Sequence, residues 1–180
     1  MSRDGSILGP LSHALRSWNQ RGRQSELLGP LFDWLLRALE AERVIFFTLT
    51  PGGGYRIRAS RNADGETLRD PERFISHFAV RRTLDNREAT FFAETRQDRR
   101  FRTEGEREGG SRTRSILVVP AWSPGTTGVL YFDSRFGPIR WPGDTGEDIQ
   151  LVQDLLMVAM RLEASESERR ALERKVQRLE

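Results

Sequence analysis

Hydrophobic positions along this 180-residue chain follow two periods that alternate. In "SELLGPLFDWLLRALEAE", Leu28, Leu31, Phe32, Leu35, Leu36 and Leu39 recur every three or four positions, which gathers them on one side of a helix. The helix starts either at Ser25, whose hydroxyl suits an N-cap, or nearer Pro30, which suits a first helical turn. The period then shortens. In "RVIFFTLTPGGGYRIRAS", Val44 to Thr50 is β-branched and aromatic, Pro51 to Gly54 turns the chain, and Tyr55 to Ser60 is a second strand. Ile45, Phe47 and Leu49 share one strand face, as do Tyr55, Ile57 and Ala59. Opposite them lie Val44, Phe46 and Thr48, then Arg56, Arg58 and Ser60. The uniformly apolar set is expected to pack on helices, and the mixed set to face a cavity or solvent.

After a polar stretch at 61–71, Phe74, Ile75, Phe78, Val80 and Leu84 predict a helix stopping at Asn86, and "ATFFAE" a short strand. Residues 94–113 alternate acids and arginines around Phe101. They read either as a solvated loop with a helical turn near Phe101 or as a lid over a pocket. Gly109-Gly110 makes 102–113 the segment expected to move most. "SILVVPAWSPGTTGVLYFDS" is two apolar runs around a Pro-Gly turn, a sheet-core hairpin with Val118 and Leu130 at its centre. "GPIRWPGDTGED" leads into a long helix capped by Asp144 or Thr145, with Glu147 and Asp148 in its first turn. Strands in consecutive pairs with helices at both ends predict an α+β antiparallel sheet with the terminal helices on one face. Ahead of all this, residues 1–24 are Gly-, Ser- and Arg-rich. Leu8, Leu11, Leu15 and Trp18 there have helical spacing, so the segment reads as a partly helical extension.

From Leu155 the pattern becomes heptad. Leu155, Leu162, Arg169 and Val176 occupy a positions, and Val158, Ser165, Leu172 and Leu179 occupy d positions. The aliphatic six, Leu155, Val158, Leu162, Leu172, Val176 and Leu179, make a homodimer seam that Ser165 and Arg169 weaken in the middle. At the flanks Arg161 can meet Glu166 of a second copy and Lys175 can meet Glu180, while Glu168 opposes Glu173. The balance favours a parallel pairing by little, because exposed pairs are worth a few tenths of a kcal/mol.

Composition narrows the chemistry. Hydrophobic content of 37% against 31% charged allows one core with much of the chain in water. A net charge of +3 rests on arginine, since Lys175 is the sole lysine. It does not by itself call for nucleic acid, and no direct nucleic-acid contact is expected. The absence of cysteine removes disulfides, thiolate metal sites and thiol nucleophiles, and fits a reducing cytoplasm. No apolar run approaches the ~20 residues that cross a bilayer. The N-terminus lacks a signal-peptide core. The expectation is a soluble, cytoplasmic protein without membrane contact.

The pieces "ALEAERVIFF", "RIRASRNADGETL", "VRRTLDNREATFFAE", "DRRF", "RSILVVPA", "GVLYFDS" and "EDIQLVQDLL" stand in one order over residues 25 to 162. In that order and at those spacings the chain resembles a GAF domain. "ASRNADGE" and "LYFDSR" look most like the GAF domains ahead of AAA+ output domains in bacterial sigma-54-dependent transcription activators. Similar domains occur in sensor kinases and cyclases. The resemblance implies a GAF-like twisted antiparallel sheet of five or six strands. Its terminal helices pack on one face, and a middle helix and loops on the other enclose a small molecule. It divides the chain into an extension or linker at 1–24, the domain at 25–162 and a coiled-coil linker at 163–180. That linker would lead to an output domain beyond this chain, which therefore reads as a regulatory piece of a longer protein.

The departures are informative. Cyclic-nucleotide-binding members carry an Asn-Lys-Phe-Asp-Glu signature, which a chain with no lysine before Lys175 cannot hold. Members that attach a bilin through cysteine, or reduce methionine sulfoxide with thiols, are excluded by composition. For haem only His13 and His77 are available, and a lone helix histidine is more often surface or packing. No cofactor is required. Two histidines cannot supply a His-rich zinc site, no carboxylate pair stands out, and "TPGGGY" leads into a strand without a lysine, so it is a hairpin turn rather than a phosphate loop. The chain is not expected to be an enzyme. Two readings remain: a small-molecule sensor, and a dimerising scaffold that fills its own interior. For the sensor the candidate lining residues are Phe46, Thr48, Arg58, Phe78, Arg99, Phe101, Arg114 and Tyr131, whose arginines favour a carboxylate or phosphate.

Overall fold

A computed structural model describes residues 24–101, 113–123, 125–140 and, in the terminal helix, 150, 153–154, 156–158, 172–174 and 176–177. Helix α1 (Gln24–Leu39) leads into β1 (Arg43–Leu49) and β2 (Tyr55–Asn62). A 3-10 turn at Pro71–Phe74 precedes α2 (His77–Asn86) and β3 (Thr90–Phe92); a second at Arg99–Phe101 follows. The hairpin of β4 (Ser115–Ser123) and β5 (Thr126–Ser134) completes one five-stranded sheet of order β2-β1-β5-β4-β3. Every neighbouring pair is antiparallel. The hairpin turns between Ser123 and Thr126, which pair directly, with Gly125 at positive φ. Pro120 lies in β4 beyond the reach of β3, which pairs only with Ile116 to Val118. Its missing N–H therefore interrupts no ladder with β3.

The helices divide as the terminal-and-middle pattern predicts. On one face the whole apolar stripe of α1 is buried with Val44, Phe46, Leu117, Val119, Leu130 and Phe132, and Leu156 of the terminal helix joins them. On the other face Ile75, Ala79 and Val80 cover Ile45, Phe47, Ile116, Val118, Val129 and Tyr131. Val118 and Leu130, at the centre, have no exposed surface. Gln153 Nε2 donates to the Pro120 carbonyl at 2.6 Å, which ties the terminal helix to β4.

Several details differ from the sequence reading. The mixed set does not face a cavity. Val44 and Phe46 pack under α1, and the apolar set faces α2, because helices cover both faces of the sheet. A β-bulge at Arg58 shifts the register, with Phe46 opposite Ala59 and Phe47 opposite Ile57. Beyond it Ala59 therefore moves to the α1 side and Ser60 to the α2 side. Helix α1 passes through Pro30 and includes Ser25, so neither residue marks its start. It ends in a Schellman turn: Glu40 is left-handed, Glu40 N donates to Arg37 O and Ala41 N to Leu36 O. The middle helix is split. Ser76 is extended and accepts from Ala79 N at 3.3 Å, so α2 starts at His77 and leaves Phe74 and Ile75 outside it. Arg87, not Asn86, adopts the left-handed cap. Residues 1–23 and 102–112, the caps at Asp144 and Thr145, and Leu155, Leu162 and Leu179 lie outside the described residues.

A charged pair crosses the central strands. Arg43 Nε and Nη2 donate to the two oxygens of Asp133 at 2.6 and 2.8 Å, and Asp133 is fully buried. Burial opposes the Arg43 charge, but Asp133 more than offsets it and holds the guanidinium above its ordinary value.

Truncating Val118 or Leu130 to Ala should cost ~2–4 kcal/mol in denaturant unfolding. Arg43→Met should cost about 3–5 kcal/mol, because it strands a buried carboxylate, and adding Asp133→Leu should recover much of that. A double variant no more stable than Arg43→Met would show that the loss comes from packing, not from the stranded charge.

Candidate functional site

Two concavities flank α2 on the face away from α1. The larger, about 960 Å³, runs between β2 and the chain at 67–73. Its shape follows from two local signals. At the end of β2, Asn62 accepts from Glu66 N through its side chain at 2.8 Å and Gly65 is at positive φ, so the chain reverses. Asp70 then adopts a left-handed conformation and Pro71 opens the 3-10 turn, which carries residues 67–73 back alongside β2. Phe74, at the end of that turn, lies 4.1 Å from the Arg43 guanidinium, which it covers.

Ile57, Ala59, Leu68 and Pro71 give the groove apolar walls. Tyr55 and His77 form one end, their rings stacked with centroids 5.3 Å apart and Tyr55 Oη 3.0 Å from His77 Nδ1. Phe47 supports Tyr55 from below, at 4.7 Å. Arg58, Ser60 and Thr67 supply polar groups, and the exposed Asp70, Glu72 and Arg73 form the rim. Arg58 is the bulge residue and its Nε is buried. Burial and then the like charge of Arg56 lower its guanidinium from the ordinary value.

The smaller concavity, about 420 Å³, is lined by Phe78, Phe92 and Phe101 with Arg82 and Arg100. Phe101 meets Phe78 and Phe92 edge-on at 4.9 and 4.8 Å. Arg100 stacks over Phe78 at 4.8 Å and is held by Asp98 at 2.6 Å. Among the described residues no group of three or more His, Asp or Glu could hold a metal ion.

The predicted lining residues therefore scatter. Arg58 lines the larger groove, and Phe78 and Phe101 the smaller. Phe46 is core beneath α1, and Thr48 follows it on that face. Tyr131 is fully buried and its hydroxyl accepts from Ser76 N at 3.2 Å, so it pins the start of α2. Arg114 pairs with Glu94 at 3.1 Å, and Arg99 is exposed, both outside either concavity. The sequence reading missed Tyr55, Ser60 and Leu68, and took His77 only as a haem candidate. Their common signal was "RNADGE", a turn that folds the following chain back on its own strand.

No family model and no curated protein matches the sequence. Solved structures do match it. The GAF domain of a phosphoenolpyruvate-protein phosphotransferase from Coxiella burnetii superposes with a TM-score of 0.58 at 18% identity, over 94% of this chain and 98% of that one. The fold is GAF-like. Free methionine-R-sulfoxide reductase from Neisseria meningitidis, solved with its substrate, superposes with a TM-score of 0.61 at 12% identity, over 92% of this chain and 95% of that one. A phycoerythrobilin-bound GAF domain of a cyanobacterial phytochrome gives 0.60 at 13% identity, over 93% and 100%. This GAF-like chain thus shares one scaffold with proteins of different chemistry, so its own groove has to carry the functional argument.

Burial pushes the Tyr55 phenol above its ordinary value. The fold therefore prefers the neutral form. That stabilisation is complete below the unfolded value of about 10 and is lost as pH rises through the folded one. Denaturant midpoints should fall with alkaline pH beyond about 10, and Tyr55→Phe should flatten the fall.

Proposed function

We propose that this chain is a GAF domain acting as a regulatory sensor. It binds a small molecule in the groove between β2 and residues 67–73 and signals through a dimeric C-terminal helix to an output domain, in the cytoplasm and in transcription regulation of the sigma-54-dependent type. The groove carries this reading. It has the size of a small-molecule site, apolar walls and a few polar groups converging at Arg58 and His77. The GAF-like fold supports it, and neighbouring structures include a chemotaxis protein, with a TM-score of 0.55 at 18% identity. No helix among the described residues is long and apolar enough to cross a membrane.

The terminal helix supports the dimer. Val158, Leu172 and Val176, all seam positions of the heptad, are 50%, 62% and 57% exposed in the single chain. A second copy would cover them. The rest of the seam, Leu155, Leu162 and Leu179, lies outside the described residues.

One observation favours the scaffold reading instead. The middle of the α2 face is filled by the chain's own Val118, Tyr131, Ile75 and Val80, all 1% exposed or less. A screen of small metabolites followed by NMR separates the two. A sensor has at least one compound that shifts the Tyr55 and His77 ring resonances, and a scaffold has none. Light scattering should report a dimer for the full chain and a weaker one for a chain ending at Leu162. Two monomers at high concentration, or an antiparallel helix pair, would remove the transmitter.

A further inference from the structure

The charges around the larger groove are unevenly placed in depth. Arg58 stands on the bulge of β2 with its Nε out of water. Asp70, Glu72 and Arg73 are exposed at the rim. Arg56, next but one in the strand, adds a further positive charge that acts on Arg58. The depth of the groove is thus positive, and its rim carries both signs. Between them lie Ile57, Ala59, Leu68 and Pro71, with the Tyr55–His77 stack at one end.

From this arrangement, and resting on the reading of the groove as a ligand site, we infer that the groove selects a monocarboxylate with a flat or branched apolar body. The carboxylate meets Arg58, and the body lies along Ile57 and Leu68 toward the Tyr55–His77 rings. A guanidinium binds a carboxylate through two parallel hydrogen bonds, and partial burial strengthens them. Burying an anion there also relieves the crowding of Arg58 by Arg56. A phosphate monoester fits less well. Its near-double charge would meet one partly buried cation while Asp70 and Glu72 stand at the mouth. A neutral body alone would use the apolar walls and leave the arginine without gain. The other predicted arginines do not compete: Arg114 is held by Glu94, and Arg99 reaches neither concavity.

The test uses the full chain and matched probes: benzoate against benzamide, phenylacetate against phenylacetamide, 4-methylpentanoate against its amide, and phenyl phosphate. Affinity is measured by NMR titration, and the Tyr55 and His77 ring resonances locate the site. At least one acid should bind there more tightly than its amide by on the order of tenfold to a hundredfold, the range for a hydrogen bond to a charged group. Arg58→Gln should remove that preference while leaving the amide's affinity unchanged. The acid–amide comparison on the unaltered chain stands even if Arg58→Gln does not fold. Acids and amides binding equally at those rings would overturn the charge assignment and leave the sensory reading intact. Phenyl phosphate outbinding every carboxylate would overturn it too. If no probe moves the rings, this inference falls, and the sensory reading is judged by its own wider screen.

Discussion

The pairing of β1 with β5 is the constraint on which the rest of the structure depends. It joins strands 90 residues apart through Arg43 and Asp133, and places them at the centre of the sheet. Closing so long a loop costs only slowly more entropy with length, so distance is not the difficulty. Register is. The central strands are apolar on both faces, so a slip of one residue would still bury mostly hydrophobic side chains. The ion pair breaks that degeneracy. Desolvation offsets most of its attraction, so it adds little net stability. In a shifted register, however, the two charges would be buried apart, at a cost of about 3–5 kcal/mol. The same pair is roofed by Phe74, so the register lock also fixes the turn that bounds the groove.

A second constraint is the bulge at Arg58. A regular strand alternates faces without exception. The extra residue lets β2 present Tyr55 and Ile57 to the groove, change phase, and then present Ser60 to the groove and Arg61 to α1. Arg61 there pairs with both oxygens of Asp33 on α1. One edge strand thus touches the candidate ligand site and a terminal helix within four residues. The bulge and the arginines on β2 also discourage edge-to-edge pairing with another sheet.

Much of the fold was legible because its signals are local. The α1 stripe from Leu28 to Leu39 is buried throughout, and the hairpin turns where Pro-Gly stands. The face assignment of β1 was not legible. Period two separates Ile45 and Phe47 from Val44 and Phe46, but cannot say which set meets which helix when both are apolar. The bulge left no mark either, since "YRIRASRN" alternates acceptably without one. Missing it displaced Ala59 and Ser60 to the wrong faces. Of the predicted lining residues, Arg58 survives at the groove because a bulge residue is turned out of the regular alternation. Phe46 fails because an aromatic residue on a strand is as well suited to core as to a pocket wall. Tyr131 is a third case: its hydroxyl suggested a ligand contact, and it is spent on the start of α2.

For the proposed sensor, magnitudes decide how occupancy could reach the terminal helices. Coupling between sites is typically 1–3 kcal/mol, and it requires the ligand to favour one of two arrangements. The Arg61–Asp33 pair is partly exposed, with side chains 28% and 29% accessible, and a pair of that kind is worth under about 1 kcal/mol. It is too weak to transmit the signal alone. The backbone is stiffer. β2 is hydrogen-bonded along its length to β1, and β1 to β5. β5 pairs in turn with β4, whose Pro120 carbonyl holds Gln153 of the terminal helix. A ligand drawing on Arg58 would pull at the one irregular point of this ladder, where an unpaired residue can move without breaking a rung. A displacement there needs no large binding energy to matter, because the receiving seam is interrupted by Ser165 and Arg169 and would itself be marginal.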